Sequence, residues 1–191
     1  MNDEAIRHFK ETGAILEGHF QLSSGLHSDR YLQCALVLQH PRRAEELCRT
    51  IRRNFLGEQP ELIVGPAMGG ITIAYELGRA FDCPAIFTER ENGRFVLRRG
   101  FGVKQGQRVM IAEDVITTGG SAAEVVRLVR EAGGRVVGVA SLVHRTEKNP
   151  FDVPLVSVMQ LIVPAWPKDA CPLCAQGIPA IKPGSRPTTG R

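Results

Sequence analysis

The stretch Val109-Met-Ile-Ala-Glu-Asp-Val-Ile-Thr-Thr-Gly-Gly-Ser121 decides the fold. Val109 to Ala112 is apolar on every residue, the mark of a strand buried on both faces. Glu113 and Asp114 follow at its carboxyl end, and a turn of small residues leads into a helix. That helix carries Ala122, Val125, Val126 and Val129 on one side and stops at Gly133-Gly134. A buried strand feeding an amphipathic helix is the repeating unit of a parallel sheet.

The same unit recurs on either side. Leu62-Ile-Val64 runs into Gly65-Pro-Ala-Met-Gly-Gly70 and a helix through Ile73, Ala74 and Leu77, and Ala85-Ile-Phe87 is the next strand. Glu89 to Gly106 reads as a loop with a hairpin around Phe95-Val-Leu97, while Val136 to Val143 and Leu155 to Val163 supply two further strands. The spacing predicts an opening helix from Asn2 or Asp3 to Thr12, ended by Gly13, with Ile6 and Phe9 inward. Ala14 to Gln33 is irregular or short-stranded, and Pro41 opens a helix with Ala44, Leu47, Cys48, Ile51 and Phe55 inside. The fold class is therefore α/β, a mostly parallel twisted sheet flanked by helices.

Composition sets the outer limits. The chain has 191 residues, enough for one α/β domain with a full core. Hydrophobic content of 43% with 23% charged residues is that of a globular protein. No apolar run reaches the roughly 20 residues needed to span a bilayer. Met1 to Lys10 is charged and lacks the apolar stretch of a secretory signal, so the expected location is the cytoplasm. The net charge of +4 suits an anionic small substrate. With 6% aromatic residues and no long basic run, nucleic acid is not an expected partner.

The decisive stretch also carries chemistry. Thr118, Gly119, Gly120 and Ser121 can turn several backbone N–H groups and two hydroxyls toward one anion, and the helix N-terminus adds partial positive charge. Glu113 and Asp114 would repel a phosphate, but they can accept hydrogen bonds from sugar hydroxyls and favour positive charge developing at a nearby carbon. A phosphate beside a diol beside a cationic centre describes ribose 5-phosphate losing its 1-substituent. The absence of Gly-Lys-Ser/Thr sets the turn apart from a nucleoside-triphosphate loop. The plainer reading is a strand end and a glycine turn with no ligand.

These residues resemble the 5-phosphoribosyl-1-diphosphate motif of type I phosphoribosyltransferases. The resemblance implies that Glu113 and Asp114 hold the ribose and that Val115, Ile116, Thr117, Thr118, Gly119, Gly120 and Ser121 surround the 5-phosphate. It also implies that Ala67, Met68, Gly69 and Gly70 meet the diphosphate. Phe20-Gln-Leu-Ser-Ser-Gly-Leu-His-Ser28 with Tyr31-Leu-Gln33 resembles the N-terminal hood of orotate phosphoribosyltransferases. That implies orotate contacts from Ser24, Gly25, Tyr31 and Thr117, and pairing of the orotate carboxylate with Arg145 at a strand end. On this reading residues 1–40 form the hood, 41–163 the α/β core, and 164–191 an extended, surface-hugging tail rich in proline and glycine. Mg²⁺ held mainly by substrate is the implied cofactor, and a homodimer with orotate and 5-phosphoribosyl-1-diphosphate as substrates the implied assembly. The rivals are a phosphoribosyltransferase for a purine or other base, and a regulator that senses the sugar diphosphate.

The departures from the family are cationic. Ser23 and Gly69 stand where lysines are usual, and the catalytic loop is shortened to Glu89-Arg-Glu-Asn-Gly-Arg94, with Arg90 and Arg94 as its candidate cations. A short-loop branch is the reading that follows. Cys171-Pro-Leu-Cys174 offers two metal ligands where structural zinc wants four, and no second pair exists, although a dimer or a distant histidine could complete a site. His8, His19, His27 and His40 have no partner at useful spacing and read as surface or hood residues. Cys34, Cys48 and Cys83 read as small core residues.

Overall fold

Buried strands and amphipathic helices alternate through the chain where their patterning places them. The computed structural model describes residues 3–22 and 24–183. Ser23, the alternative helix start at Asn2, and the tail from Gly184 through Arg186 to the end lie outside the described residues. Helix α1 (Asp3–Glu11) buries Phe9 and gives way to Gly13, whose φ of +65° is the left-handed conformation that ends helices cheaply only at glycine. Strands β1 (Ile15–Gln21) and β2 (His27–Leu32) pair antiparallel as a separate hairpin. A single turn, α2 (Ala35–Leu38), leads to α3 (Pro41–Asn54), which has Pro41 in its first turn, where a missing N–H is harmless.

The core follows as β3 (Leu62–Pro66), α4 (Gly69–Phe81), β4 (Ala85–Glu91), β5 (Arg94–Leu97), β6 (Arg108–Ile116), α5 (Gly120–Glu131), β7 (Arg135–His144) and β8 (Leu155–Gln160). The six strands lie in the order β5-β4-β3-β6-β7-β8, all parallel except β5. Phe9, Leu47, Ile51, Ile73 and Leu77 pack with Ile63, Met110 and Leu142 in one apolar cluster. Val125, Val126 and Val129 of α5 pack with Val64, Ile111 and Val139 in the other. The sheet is thus covered on both faces, as its double-sided apolar strands require.

Three expectations need correction. Strand β6 does not end at Ala112 but continues through Ile116, because Glu113 to Ile116 keep pairing with Ser141 to His144 on β7. The acid pair is therefore inside the sheet rather than beyond it. The shortened loop at 89–94 is strand and tight turn: Asn92 and Gly93 take positive φ of 50° and 81°, the twist a two-residue hairpin needs, and β4 and β5 pair across them. The tail, expected to be extended, contains a 3₁₀ turn (Lys168–Ala170) and a short helix α6 (Pro172–Ala175). It also bonds to the hairpin on both sides, His27 with Trp166 and Phe20 with Ile181.

Candidate active site

Strands β3 and β6 are neighbours in the sheet, yet the chain leaves them in opposite directions, β3 toward β4 and β6 toward β7. Loops at such a reversal diverge and leave a crevice at the carboxyl ends of the strands. The turn at Ala67–Met68 and the turn Thr117–Gly119 both open onto this edge. The Ala67–Met68 peptide is cis.

A cavity of about 360 Å³ lies there. Asp114, Val115, Thr117 and Thr118 come from the end of β6, Arg145 from the end of β7, and Ser24 and Tyr31 from the hairpin. A larger hollow of about 600 Å³ lies between α3 and α4, where Arg49 pairs with Glu45 at 2.8 Å and Arg79 with Glu76 at 3.0 Å, while Arg52 donates to the Ala80 carbonyl and Arg53 to the Thr50 hydroxyl. The first brings an acid, hydroxyls and a cation with no carboxylate partner among the described residues to the carboxyl edge of the sheet, which makes it the candidate site.

The turn after β6 is built for an anion. Gly119 caps α5 at φ +84°, and a Cβ on it would meet Pro150 at 2.9 Å, so glycine is required for both conformation and space. The first turn of α5 leaves its N–H groups without helical acceptors, and the helix dipole adds to them. Thr117 and Thr118 bring hydroxyl groups to the same edge.

Of the acids beside it, Glu113 is buried and Asp114 half-buried. Burial, and then the charge of Asp114, pushes Glu113 up to about 8 from the usual 4.5. Burial also raises Asp114, whose Oδ1 accepts a hydrogen bond from the Val115 N–H at 2.8 Å. The pair therefore holds part of a proton near neutral pH and gains by meeting positive charge or hydroxyl donors. Tyr31 feels the same field: burial, then Asp114, raises its phenol. Cys34, beneath the site with its thiol 3.8 Å from the Asp114 carbonyl, is raised well above its ordinary value by burial and by both acids.

Gly69 explains its own departure from the family. A Cβ at this position would stand 2.8 Å from Asp114 Oδ1 and 2.9 Å from Cγ, so a side chain there would force the carboxylate to shift. Gly70 is wedged likewise against the Ala112 carbonyl and Pro66, each 2.7 Å from its hypothetical Cβ. These contacts hold the 65–70 turn directly against β6.

Arg145 is positioned by the sheet. Its N–H donates to the Ile116 carbonyl at 2.8 Å, which sets it next to Thr117. Burial lowers its guanidinium from its ordinary value, and among the described residues no carboxylate pairs with it. A half-buried guanidinium without a counter-ion favours an incoming carboxylate.

Not every expected residue reaches the cavity. Ile116 is 1% exposed and its side chain is core. Gly25 makes the hairpin turn at φ +83° but does not line the cavity, and Ala67, Met68, Gly69 and Gly70 approach it only through the Gly69–Asp114 contact. Gly120 and Ser121 sit exposed in the first turn of α5. Arg90 and Arg94 lie on the β4–β5 hairpin. Arg90 stacks 3.9 Å from the Phe95 ring centroid and donates to the Gly93 carbonyl at 2.6 Å, and Arg94 lies against α5. Residue patterning missed Leu22, Leu26, Gln33, Val163 and Ala165, which also line the cavity. Apolar residues in turns carry no periodic signal.

Residues 36–174 match the Phosphoribosyl transferase domain family. The orotate phosphoribosyltransferase of Caldicellulosiruptor saccharolyticus is 50% identical over 188 residues, covering 97% of this chain and 98% of its own. That of Heliobacterium modesticaldum is 51% identical over 188 residues, covering 96% and 98%. The crystal structure of orotate phosphoribosyltransferase from Aeropyrum pernix superposes with a TM-score of 0.65 at 28% identity, over 81% of this chain and 92% of that one.

Proposed function

Because the chain belongs to the phosphoribosyltransferase family, in its orotate phosphoribosyltransferase branch, we propose which of its residues perform the transfer. The reaction moves ribose 5-phosphate from 5-phosphoribosyl-1-diphosphate to orotate and yields orotidine 5-phosphate and diphosphate. The 5-phosphate sits on the backbone N–H groups of Thr118, Gly119, Gly120 and Ser121 at the start of α5. Asp114, with Glu113 behind it, accepts hydrogen bonds from the ribose hydroxyls. Their charge grows favourable as the bond to diphosphate breaks and C1 becomes oxocarbenium-like. Ser24, Tyr31 and Thr117 hold the flat base, and Arg145 takes the orotate carboxylate through two parallel N–H donors. Leu22, Leu26 and Val163 exclude water that would otherwise hydrolyse the activated sugar.

The donor set fits Mg²⁺ held mainly by substrate. Two acids with raised pKa values are a poor all-protein cage for an ion that keeps its waters and prefers phosphate oxygens. When bound, Mg²⁺ would supply neutralisation of the diphosphate charge, and Asp114 is the residue that would help hold it. Arg90 and Arg94 do not line their own cavity, which supports a homodimer in which the hairpin serves the neighbouring site. Met68, just before α4, and Tyr75 within it, exposed at 84% and 64%, support an interface beside the diphosphate turn. No helix among the described residues is long and apolar enough to cross a membrane, and we place the enzyme in the cytoplasm.

The observation that carries the base assignment is the unpaired, half-buried Arg145 in the same cavity as Asp114. An assay with orotate, uracil, hypoxanthine and xanthine tests it. Orotate should be the preferred acceptor, with uracil, which lacks the carboxylate, far behind. Equal use of uracil, or preference for a purine, would remove Arg145 from its role.

A further inference from the structure

Two histidines of the β1–β2 hairpin and two cysteines of the tail, read from sequence as unconnected, converge outside the active site. His19, His27, Cys171 and Cys174 bring their ligand atoms within 4.8 Å of one another. His19 Nε2 is 2.7 Å from His27 Nδ1 and 3.5 Å from the Cys171 sulfur. The Cys174 sulfur is 3.3 Å from His27 Nδ1 and 3.8 Å from His19 Nε2. We propose that these four residues bind one zinc ion, a structural site that fastens the tail to the hairpin.

The distances suit the metal. Bonds of about 2.05 Å to nitrogen and 2.3 Å to sulfur give tetrahedron edges of about 3.6 Å between nitrogen and sulfur and about 3.3 Å between nitrogens. The three nitrogen–sulfur separations of 3.3, 3.5 and 3.8 Å bracket the first value. The two imidazoles are closer than the second and would part by about 0.6 Å around an ion. Orientation agrees as well. His19 Nδ1 lies 2.7 Å from the Ile178 carbonyl, which can accept only a proton, so Nδ1 carries the hydrogen and Nε2 turns a bare lone pair to the cluster. A backbone carbonyl fixing the outer nitrogen is the usual support for a metal-binding histidine. Four protein ligands leave no open position, which marks a structural rather than a catalytic ion, and two imidazoles with two thiolates suit zinc.

Burial and topology supply the need. His19, His27 and Cys171 are 3%, 4% and 2% exposed. Two imidazoles and two thiols that turn their ligand atoms on one another form a cluster of lone pairs that a cation would fill. Between Pro164 and Pro183, Cys171 is the one buried residue, so no apolar core holds this segment in place. Its ends are tied by strand-like bonds, Trp166 to His27 at 2.7 and 2.8 Å and Ile181 to Gln21 and His19 at 2.9 and 2.8 Å. The arch between them has only the cluster beneath it. A metal crosslink is how small units without a core are commonly secured. The anchored pieces are the ones that wall the cavity, Leu22 and Leu26 from the hairpin and Val163 and Ala165 from the start of the tail.

The test uses the full chain, purified without a metal-binding tag and under reducing conditions. Elemental analysis should find about one zinc per chain. Chain produced with Co²⁺ in place of zinc should show the visible bands of tetrahedral cobalt and thiolate-to-cobalt charge transfer. Cys171→Ser and Cys174→Ser should each lose both signals. Should these variants fail to fold, the wild-type chain still decides: stripped with a zinc-selective chelator, it should melt at a lower temperature and recover with Zn²⁺ but not with Mg²⁺. Absence of zinc, a Cys171–Cys174 disulfide in the native chain, or a Tm indifferent to stripping would overturn the proposal. None of these readouts involves orotate or the sugar diphosphate, so their failure leaves the catalytic assignment untouched.

Discussion

Replacing Gly69 with alanine adds one methyl group at the point where the 65–70 turn meets Asp114. That methyl would stand 2.8 Å from Asp114 Oδ1, 2.9 Å from Cγ and 3.0 Å from Oδ2. Ordinary carbon contacts begin near 3.5 Å, so one side must yield by about 0.5 Å. The turn has little room to retreat, because Gly70 is packed against the Ala112 carbonyl and Pro66. Asp114 therefore moves, straining its bond from the Val115 N–H. A misplacement of about 1 Å can cost about 100-fold in rate, so half that should cost about 10-fold in kcat/KM for 5-phosphoribosyl-1-diphosphate. Stability should change far less. Alanine is a better helix former than glycine by about 1 kcal/mol, which offsets part of the strain. Steady-state kinetics at saturating orotate, beside thermal denaturation, reads both quantities. Gly102→Ala, where a Cβ meets nothing within 4 Å, is the control and should match wild type. Activity of Gly69→Ala equal to that control would refute the claim that this glycine exists to admit Asp114.

Arg145→Ala should raise KM for orotate by about 10- to 100-fold, the worth of a charge-assisted pair, with KM for the sugar diphosphate nearly unchanged. Arg145→Lys should recover only part, because an ammonium cannot make the two parallel bonds. Glu113 has a folded-state value of about 8 against the usual 4.5, so its contribution to stability is complete below about pH 4.5 and is lost as the pH climbs through 8. Denaturant titrations from pH 5 to 9 should therefore find Glu113→Gln gaining on wild type as the pH rises, by a few kcal/mol at most. A constant difference would contradict the assignment. Asp114→Asn and Arg90→Ala, each impaired alone, should recover activity when mixed and allowed to exchange subunits, if the hairpin cation serves the neighbouring site. A mixture no better than its parts would return Arg90 to its pairing with Glu124.

Much of this arrangement is legible in the chain because burial on both faces leaves an unmistakable apolar run. Leu62–Val64, Val109–Ala112 and Val136–Val143 announce a parallel sheet, and the acids and small residues after Ala112 announce its working edge. Local pattern cannot say which strands are neighbours, so the placement of β3 beside β6 came from the three-dimensional fold. Nor does it say where a strand ends when polar residues continue the pairing, which is why β6 runs four residues past the apolar run. Asn92–Gly93 is a hairpin dipeptide that the loop reading of 89–94 passes over, and the placement of that hairpin beside α5 depends on packing. The histidine–cysteine cluster was beyond reach for a simpler reason. His19 and Cys171 are 152 residues apart, and no periodicity joins a hairpin to a tail.

In the proposed mechanism one sheet edge grips phosphate at the start of α5, ribose at Asp114 and a carboxylate at Arg145. A crystal structure of the chain with orotidine 5-phosphate measures all three contacts at once. It should place the phosphate oxygens within hydrogen-bonding distance of the N–H groups of residues 118–121, the ribose hydroxyls on Asp114, and the base carboxylate on the Arg145 guanidinium. A nucleotide bound elsewhere, or reversed so that its phosphate meets Arg145, would contradict it.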